Sequence, residues 1–164
     1  MFIFSLKTSK RKIIVHTAVI GLLAALAVIL FLSLRTNDKQ AICPMGKYNL
    51  CVKDNDDRLN FLAQFGWEAS SEPTEVTTVT IPAEFNSTYE KYNDIQRNQG
   101  LDLTKYQEKT CTQYTYQILN YKDSSQGVRA NILVLNDKVI GGDISSVLLN
   151  GFIHGFFDPD KSHI

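Results

Sequence analysis

An uninterrupted apolar run near the N-terminus constrains this chain more than any other feature of its sequence. Residues 13–34 contain no charged side chain, and their polar side chains are His16, Thr17 and Ser33. A helix of that length, rising about 1.5 Å per residue, spans roughly the 30 Å hydrocarbon core of a bilayer. The run has no polar stripe of the kind that a surface helix of a soluble domain carries. The sequence therefore predicts a transmembrane helix over residues 13–34, with the lipid bilayer as one partner.

The charges that flank this run predict its orientation. Four basic side chains precede it and two follow it: Lys7, Lys10, Arg11 and Lys12, then Arg35 and Lys39. An excess of basic residues marks the cytoplasmic side, so we expect a cytoplasmic tail over residues 1–12 and a single-pass protein of the cell membrane. A signal peptide cleaved after Ala27 is the alternative. It would leave residues 28–32 as an exposed apolar tail.

The remaining charges argue against nucleic acid as a partner. Thirteen of the 17 basic residues and all 17 acidic residues follow the apolar run, so that part of the chain is mildly acidic. Binding to phosphates needs a concentrated basic face, which is absent from the sequence. The sequence also lacks the Gly-x-Gly-x-x-Gly spacing that is typical of dinucleotide-binding domains. We therefore expect no cofactor.

Three cysteines, Cys43, Cys51 and Cys111, allow three single pairings, and the sequence does not choose between them. Oxidation is permitted outside the cytoplasm, and Cys43 and Cys51 flank a turn-rich segment. A disulfide between these two residues and a set of free thiols are the two interpretations. The sequence contains no Cys-x-x-Cys pair and its histidines are scattered, so we expect no metal site.

Two predicted segments follow the apolar run: a polar linker over residues 35–53 and an extracytoplasmic domain over residues 54–164. The domain begins with an acidic cluster at 54–57, which is typical of a helix N-terminus, and Gly66 is a natural stop. The sequence therefore predicts a short helix over residues 56–65.

Later segments carry strand and helix signals in turn. β-Branched residues and period-two alternation predict four strands, and aromatic residues at helical spacing predict a second helix. The strands lie at residues 75–81, 110–121, 128–135 and 139–145, the helix lies at 83–99 after Pro82, and Asn136-Asp137 forms a turn. Short connections between the last three strands are typical of an antiparallel meander. We expect an α+β domain with an antiparallel sheet of about four strands backed by two helices.

Spaced motifs along the predicted domain resemble a known family. They include Phe65-Gly66-Trp67-Glu68, Gln99-Gly100-x-Asp102-Leu103, Gly141-Gly142-Asp143 and Gly151-Phe152-x-His154-Gly155. The series covers residues 56–157 and is similar to a domain of unknown function found in uncharacterised proteins of Gram-positive, mainly clostridial, bacteria. The resemblance implies an N-terminal anchor but no reaction, substrate or catalytic residue. It also implies a cysteine soon after Asp143, where this chain has Ser145.

The Gly141-Gly142-Asp143 motif allows two interpretations. In one, a glycine loop approaches a ligand and Asp143 acts as a base or metal ligand. In the other, the glycines form a β-bulge or tight turn. His154 is a candidate partner of Asp143 in activating Ser145 or Ser146. The nucleophile-elbow pattern Gly-x-Ser-x-Gly is absent, so we expect no enzyme.

Four tyrosines are candidates for a binding surface, with core packing as the alternative: Tyr89, Tyr92, Tyr114 and Tyr116. The function that we expect from the sequence is a membrane-anchored module that binds an envelope protein or a cell-wall partner. One alternative is a hydrolase-like enzyme that uses Asp143 and His154. The other is a ligand-sensing ectodomain without an output domain of its own.

Overall fold

The computed structural model describes residues 10–37, 39–43, 46–122 and 127–158. It divides into two compact units, residues 1–38 and 39–164. Lys7 and the rest of the predicted basic tail up to residue 9 lie outside the described residues.

The first unit contains one helix, α1, which spans Lys10–Asn37. It extends beyond the predicted run at both ends and includes the charged residues Lys10, Arg11, Lys12 and Arg35. Every residue from 16 to 30 is exposed. Within the described part of the chain, no helix combines the length and the apolar character that crossing a membrane requires. The predicted transmembrane helix over residues 13–34 is therefore not supported.

The second unit begins with a β-hairpin where the sequence predicted a linker. Strands β1 (Gln40–Cys43) and β2 (Gly46–Asn49) pair antiparallel. Tyr48, Leu50 and Val52 are buried, at the period of two that is typical of an extended segment with one buried face. The Val139 N–H donates to the Leu50 carbonyl oxygen at 2.9 Å. This segment is thus part of the domain core.

Local capping sets the bounds of the next two helices. Helix α2 spans Asn55–Ala63, and its N-cap Asp54 accepts a hydrogen bond from the Asp57 N–H at 2.9 Å. Helix α3 spans Ser87–Asn98 and begins later than predicted. The reason is that Asn86, rather than Pro82, ends the preceding loop: its side chain accepts hydrogen bonds from the N–H groups of Thr88 and Tyr89.

Five strands form one antiparallel sheet in the order β3-β4-β5-β6-β7. Their bounds are Glu75–Thr80, Thr110–Gln117, Val128–Leu135, Lys138–Ser146 and Ile153–His154. A 3₁₀ turn at Leu103–Tyr106 lies between α3 and β4. Asn136 and Asp137 connect β5 to β6 with φ angles of 51° and 59°, which matches a type I′ hairpin turn. The short strand β7 was not predicted from the sequence.

The two helices lie on opposite faces of this sheet. On the α2 face, Phe61 and Leu62 pack with a core that includes Trp67, Tyr116, Ile132, Ile144 and Phe156. On the α3 face, Tyr89 and Tyr92 pack against a smaller core formed by Ile81, Leu103, Cys111, Leu133 and Ile140. The structure confirms an α+β fold with antiparallel pairing, and a helix covers each face of the sheet.

The three cysteines are free thiols, which is the second of the two interpretations, and the possible bridge between Cys43 and Cys51 is not formed. Cys43 lies at the turn of the β1–β2 hairpin, opposite Gly46, whereas Cys51 follows the far end of β2 and pairs with Lys138. A strand of four residues is about 13 Å long, and a disulfide requires Cα atoms within about 7 Å of each other. The hairpin register therefore holds the two thiols apart.

Candidate functional site

A row of three polar residues crosses the middle of the sheet on its α3 face. Thr115, Asn131 and Asp143 are direct cross-strand partners on β4, β5 and β6. The Thr115 hydroxyl donates to Asn131 Oδ1 at 2.8 Å, and Asn131 Nδ2 donates to Asp143 Oδ2 at 2.9 Å. Asn131 Nδ2 also lies 3.3 Å from Ser145 Oγ. This set of three residues is called the polar row below.

Helix α3 supplies a fourth member through Tyr92. Its hydroxyl donates to Asp143 Oδ1 at 3.0 Å. Asp143 is buried, and this burial raises the pKa of its carboxyl, while hydrogen bonds from Asn131, Ser145 and Tyr92 and the charge of His154 lower it. The pKa of the Tyr92 hydroxyl is raised mainly by burial and, to a smaller extent, by the nearby negative charge of Asp143. The hydroxyl therefore remains protonated and can donate a hydrogen bond.

The Gly141-Gly142 pair directly follows a bulge in β6. Val139 pairs with Val134 and Gly141 pairs with Leu133, so Ile140 is an extra residue on this strand. Gly142 has φ +155°, and a Cβ atom there would clash with the Asn131 carbonyl oxygen and the Phe156 ring. These contacts support the structural interpretation of the motif.

Two buried glutamines of the α3 segment bind the backbone at this bulge. Gln96 Oε1 accepts a hydrogen bond from the Gly142 N–H at 2.9 Å, and Gln99 Nε2 donates to the Gly142 carbonyl oxygen at 3.0 Å. Gln99 Nε2 also donates to Gln96 Oε1, and Gln99 Oε1 accepts from the Phe156 N–H. We call Gln96 and Gln99 the glutamine pair. Sequence analysis did not select it, although polar residues three apart on a buried helix face are an available signal.

His154 does not join Asp143. It pairs with Ile144 on β6, so its side chain lies on the α2 face, whereas Asp143 faces α3. The imidazole ring stacks on Phe152, with centroids 5.3 Å apart, and Nδ1 lies 2.6 Å from the Gly155 carbonyl oxygen. Its Nε2 is buried and has no hydrogen-bond partner among the described residues.

The four candidate tyrosines divide between the two faces. Tyr89 and Tyr92 are half-buried beneath α3, with ring centroids 6.0 Å apart. Tyr114 and Tyr116 lie on the α2 face, and Tyr116 is fully buried. Arg58 covers the Tyr114 ring at 3.9 Å and donates to the Tyr116 hydroxyl at 2.8 Å. The structure therefore places them in two separate clusters.

A cavity of about 210 Å³ opens at the end of the α3 face, next to the polar row. Its lining includes Thr74, Gln117, Gly127, Val128, Arg129 and Val147. Gln117 and Arg129 are direct cross-strand partners, and Arg129 also pairs with Ser145. Neither Asp143 nor His154 lines this cavity.

No group of three or more His, Cys, Asp or Glu side chains suited to a metal ion occurs within the described residues. The polar row offers one carboxylate, Asp143, whose oxygens already accept hydrogen bonds from Tyr92 and Asn131. Its chemistry in this arrangement is that of a buried hydrogen-bond acceptor.

Comparison with known proteins gives one match. No curated protein and no solved structure is similar to the chain. A family model described as a domain of unknown function, DUF4830, matches residues 61–144, which is just over half of the 164 residues. The resemblance inferred from the motifs is confirmed to that extent. The matched segment includes the glutamine pair, the polar row and the β6 bulge, and the chain belongs to the DUF4830 family.

Proposed function

We propose that residues 39–158 form a binding domain whose partner contacts the open end of the α3 face. This surface consists of Gln117, Arg129, Ser145 and the adjoining cavity. The observation that carries the proposal is that the described residues cover this face of the sheet incompletely. The α3 side chains pack on the smaller core and reach the polar row through Tyr92, whereas Gln117 and Arg129 beyond it are exposed.

The chemistry of this surface favours an acidic group on the partner. Arg129 presents a guanidinium, which suits bidentate contact with a carboxylate. The cavity beside it has both polar and apolar walls, from Gln117 to Val147. A few polar groups beside apolar surface are typical of specific binding sites. An acidic segment of an envelope protein, or a carboxylate of the cell wall, fits this combination.

The alternative of a hydrolase-like enzyme has less support. A general base and the group that orients it must lie within hydrogen-bond reach of each other and of a substrate pocket. Asp143 and His154 face opposite sides of the sheet, and the hydrogen bonds to Asp143 come from Tyr92 and Asn131. The arrangement supports binding rather than acid–base catalysis.

Photo-crosslinking tests the binding proposal in living cells. A benzoylphenylalanine replaces exposed Gln117 in the full chain, and the same group at exposed Lys91 on α3 serves as the matched control. We expect a discrete adduct from position 117 and no such adduct from position 91. The adduct from position 117 should be lost when the chain also carries Arg129→Glu, provided that this variant retains the wild-type melting temperature. Equal adducts from both positions, or an adduct that is insensitive to Arg129→Glu, would contradict the proposal.

We further propose that α1 contacts lipid. Its residues 16–30 expose apolar side chains, among them Ile20, Leu22 and Leu30, without a charged group among them. Transfer of such side chains from water to an apolar phase is favourable. The expected location of the domain, outside the cytoplasm, rests on the flanking charges alone.

Flotation of the full chain on a sucrose gradient tests lipid contact, and protease treatment of intact cells tests the location of the domain. We expect wild type to float with membranes and a Leu22→Glu/Leu26→Glu variant to float less. The matched control is Ile42→Glu, because Ile42 is exposed and lies in the second unit. Recovery of wild type in the unbound fraction would contradict the proposal, and a protected domain would contradict the location.

A further inference from the structure

Strand β3 is one outer edge of the five-stranded sheet, and among the described residues its sole partner in the sheet is β4. Val76, Thr78 and Thr80 are exposed. Apart from Glu75 at its first position, this edge strand carries no charged side chain and no Pro, which are two of the devices that block further pairing. The opposite edge, β7, has two residues and is much shorter.

The register identifies which backbone groups of β3 point away from the sheet. The Ile81 N–H donates to the Lys109 carbonyl oxygen, and the Ile81 carbonyl accepts from the Glu108 N–H, both at 2.9 Å. Ile81 therefore faces β4. In an antiparallel ladder, successive residues alternate in direction, so residues 75, 77 and 79 also face β4. The N–H and C=O groups of Val76, Thr78 and Thr80 consequently point outward.

The pairing on the other side of β4 gives the same result independently. The Ile118 N–H donates to the Val128 carbonyl oxygen, so even-numbered residues of β4 face β5 and odd-numbered residues face β3. The odd-numbered partners of β3 are Thr115, Gln113 and Cys111, which pair with Glu75, Thr77 and Val79. The outward N–H and C=O groups of Val76, Thr78 and Thr80 therefore lie outside the ladder between β3 and β4.

A second copy of β3 fits this edge. Two antiparallel strands related by a two-fold axis must pair outward-facing residues that lie on the same face of the sheet. With the axis at Thr78, Thr78 pairs with Thr78, and Val76 pairs with Thr80. All three residues face α2, since their partners on β4 include Tyr114. No charge lies between residues 76 and 81, so no like charges oppose each other across the axis.

We propose that two copies of this chain pair through β3, with the two-fold axis at Thr78, to form a continuous ten-stranded sheet. This proposal is independent of the binding surface at Arg129. Strands of six residues bury less than the roughly 1,200 Å² typical of stable protein complexes, so the dimer is a reversible one. Its affinity comes from backbone hydrogen bonds between the two copies of β3, as in other cases of strand addition.

Cysteine cross-linking of the full chain in detergent micelles tests this register. All variants carry Cys43→Ser and Cys51→Ser, and buried Cys111 is retained. Opposed Cα atoms in a hydrogen-bonded pair lie about 5.5 Å apart, which is within disulfide range. Two copies of Val76 would be roughly 14 Å apart in the same dimer, because they are displaced by four residues. We expect Thr78→Cys to form disulfide dimers roughly tenfold faster than Val76→Cys, which supplies the matched control.

Mixing adds a second, more specific readout. Val76→Cys and Thr80→Cys chains should each cross-link slowly when alone and should rapidly form a disulfide-linked mixed dimer when combined. Thr78→Lys, which places two ammonium groups face to face, should weaken the dimer in sedimentation velocity without changing the melting temperature. Equal rates for Thr78→Cys and Val76→Cys, or a mixed pair that reacts no faster than either chain alone, would overturn the proposal. Sedimentation of wild type as monomer at all concentrations would do so as well.

Discussion

Gln96 Oε1 accepts a hydrogen bond from the backbone N–H of Gly142 at 2.9 Å, and both residues are buried. Backbone direction alternates along β6, and the Ser146 N–H donates to the Phe152 carbonyl oxygen on the β7 side, so the N–H of Gly142 also points away from β5. The short β7 pairs only with residues 144 and 145, so a helix side chain satisfies the Gly142 N–H instead. Gln99 holds the carbonyl of the same residue. The glutamine pair therefore ties α3 to β6 at the point where the sheet is irregular.

Replacing Gln96 by Ala should destabilise the domain. The change leaves the Gly142 N–H buried without an acceptor, which costs about 1–3 kcal/mol in the free energy of unfolding. Urea unfolding monitored by the fluorescence of Trp67 measures this. Asn98→Ala, at an exposed position of the same helix, is the control and should change the free energy by about 0.5 kcal/mol or less. Equal effects of the two substitutions would contradict the assigned role of Gln96.

Replacing Gly142 by Ala should destabilise the domain by about 3 kcal/mol or more, because positive φ and steric overlap act together. The new methyl group would meet the Asn131 carbonyl oxygen and the Phe156 ring. Gly46→Ala is a matched control: its φ is +135°, and no atom lies within 4 Å of the new Cβ. The difference between the two melting temperatures isolates the steric part. If Gly46→Ala is as destabilising as Gly142→Ala, the close packing at Gly142 is not the cause.

The raised pKa of Asp143 should make its contribution to stability depend on pH. The folded state binds this proton more tightly than the unfolded chain does, so the contribution is greatest below the ordinary value of 3.8. It declines as the pH rises from that value to the raised folded-state pKa. As the pH rises through this window, the free energy of unfolding of wild type should therefore fall relative to that of Asp143→Asn.

Urea unfolding of both proteins, below and above the window, measures this difference. Asp137→Asn in the exposed β5–β6 turn is the control for a general effect of removing a carboxylate. A difference between wild type and Asp143→Asn that stays constant with pH, or that grows as the pH rises, would show that burial of the carboxyl does not dominate.

Replacing Arg58 by Lys should cost about 1–2 kcal/mol of unfolding free energy, although the charge is retained. Lysine loses both the planar contact with the Tyr114 ring and the hydrogen bond from Nε to the Tyr116 hydroxyl. Arg97→Lys is the control, because Arg97 makes exposed ion pairs with Glu90 and Asp94 that contribute little. Thermal unfolding of the two variants should separate them, and similar melting temperatures would refute the prediction.

The fold class could be predicted from the sequence because its signals are local. Asp54 and Asn86 act as caps through bonds to N–H groups two or three residues away, and Asn136-Asp137 adopts its turn within a single hairpin. Strand β7 was missed because two residues are too few to show the period-two alternation that identifies a strand. The β1–β2 hairpin was missed because each of its strands has four residues, which is too short for a clear period of two.

The candidate site was predictable only in part. Asp143 is in a polar network, but its partners Asn131 and Tyr92 are 12 and 51 residues away in the sequence. The sequence suggested His154 as a partner instead, because a histidine can act as the general base for Ser145 or Ser146. The pleat of β6 and the pairing of Ile144 with His154 place that side chain on the opposite face.

The sequence by itself determined the α+β class, the approximate helices and four of the sheet's strands, because caps, turns and period-two alternation act over a few residues. Only the tertiary structure decided which side chains meet across the sheet. Pairing register and the choice of face depend on contacts between distant segments, and a shift of one residue exchanges the two faces. The contact of Gln96 with Gly142, 46 residues apart, is a product of that register.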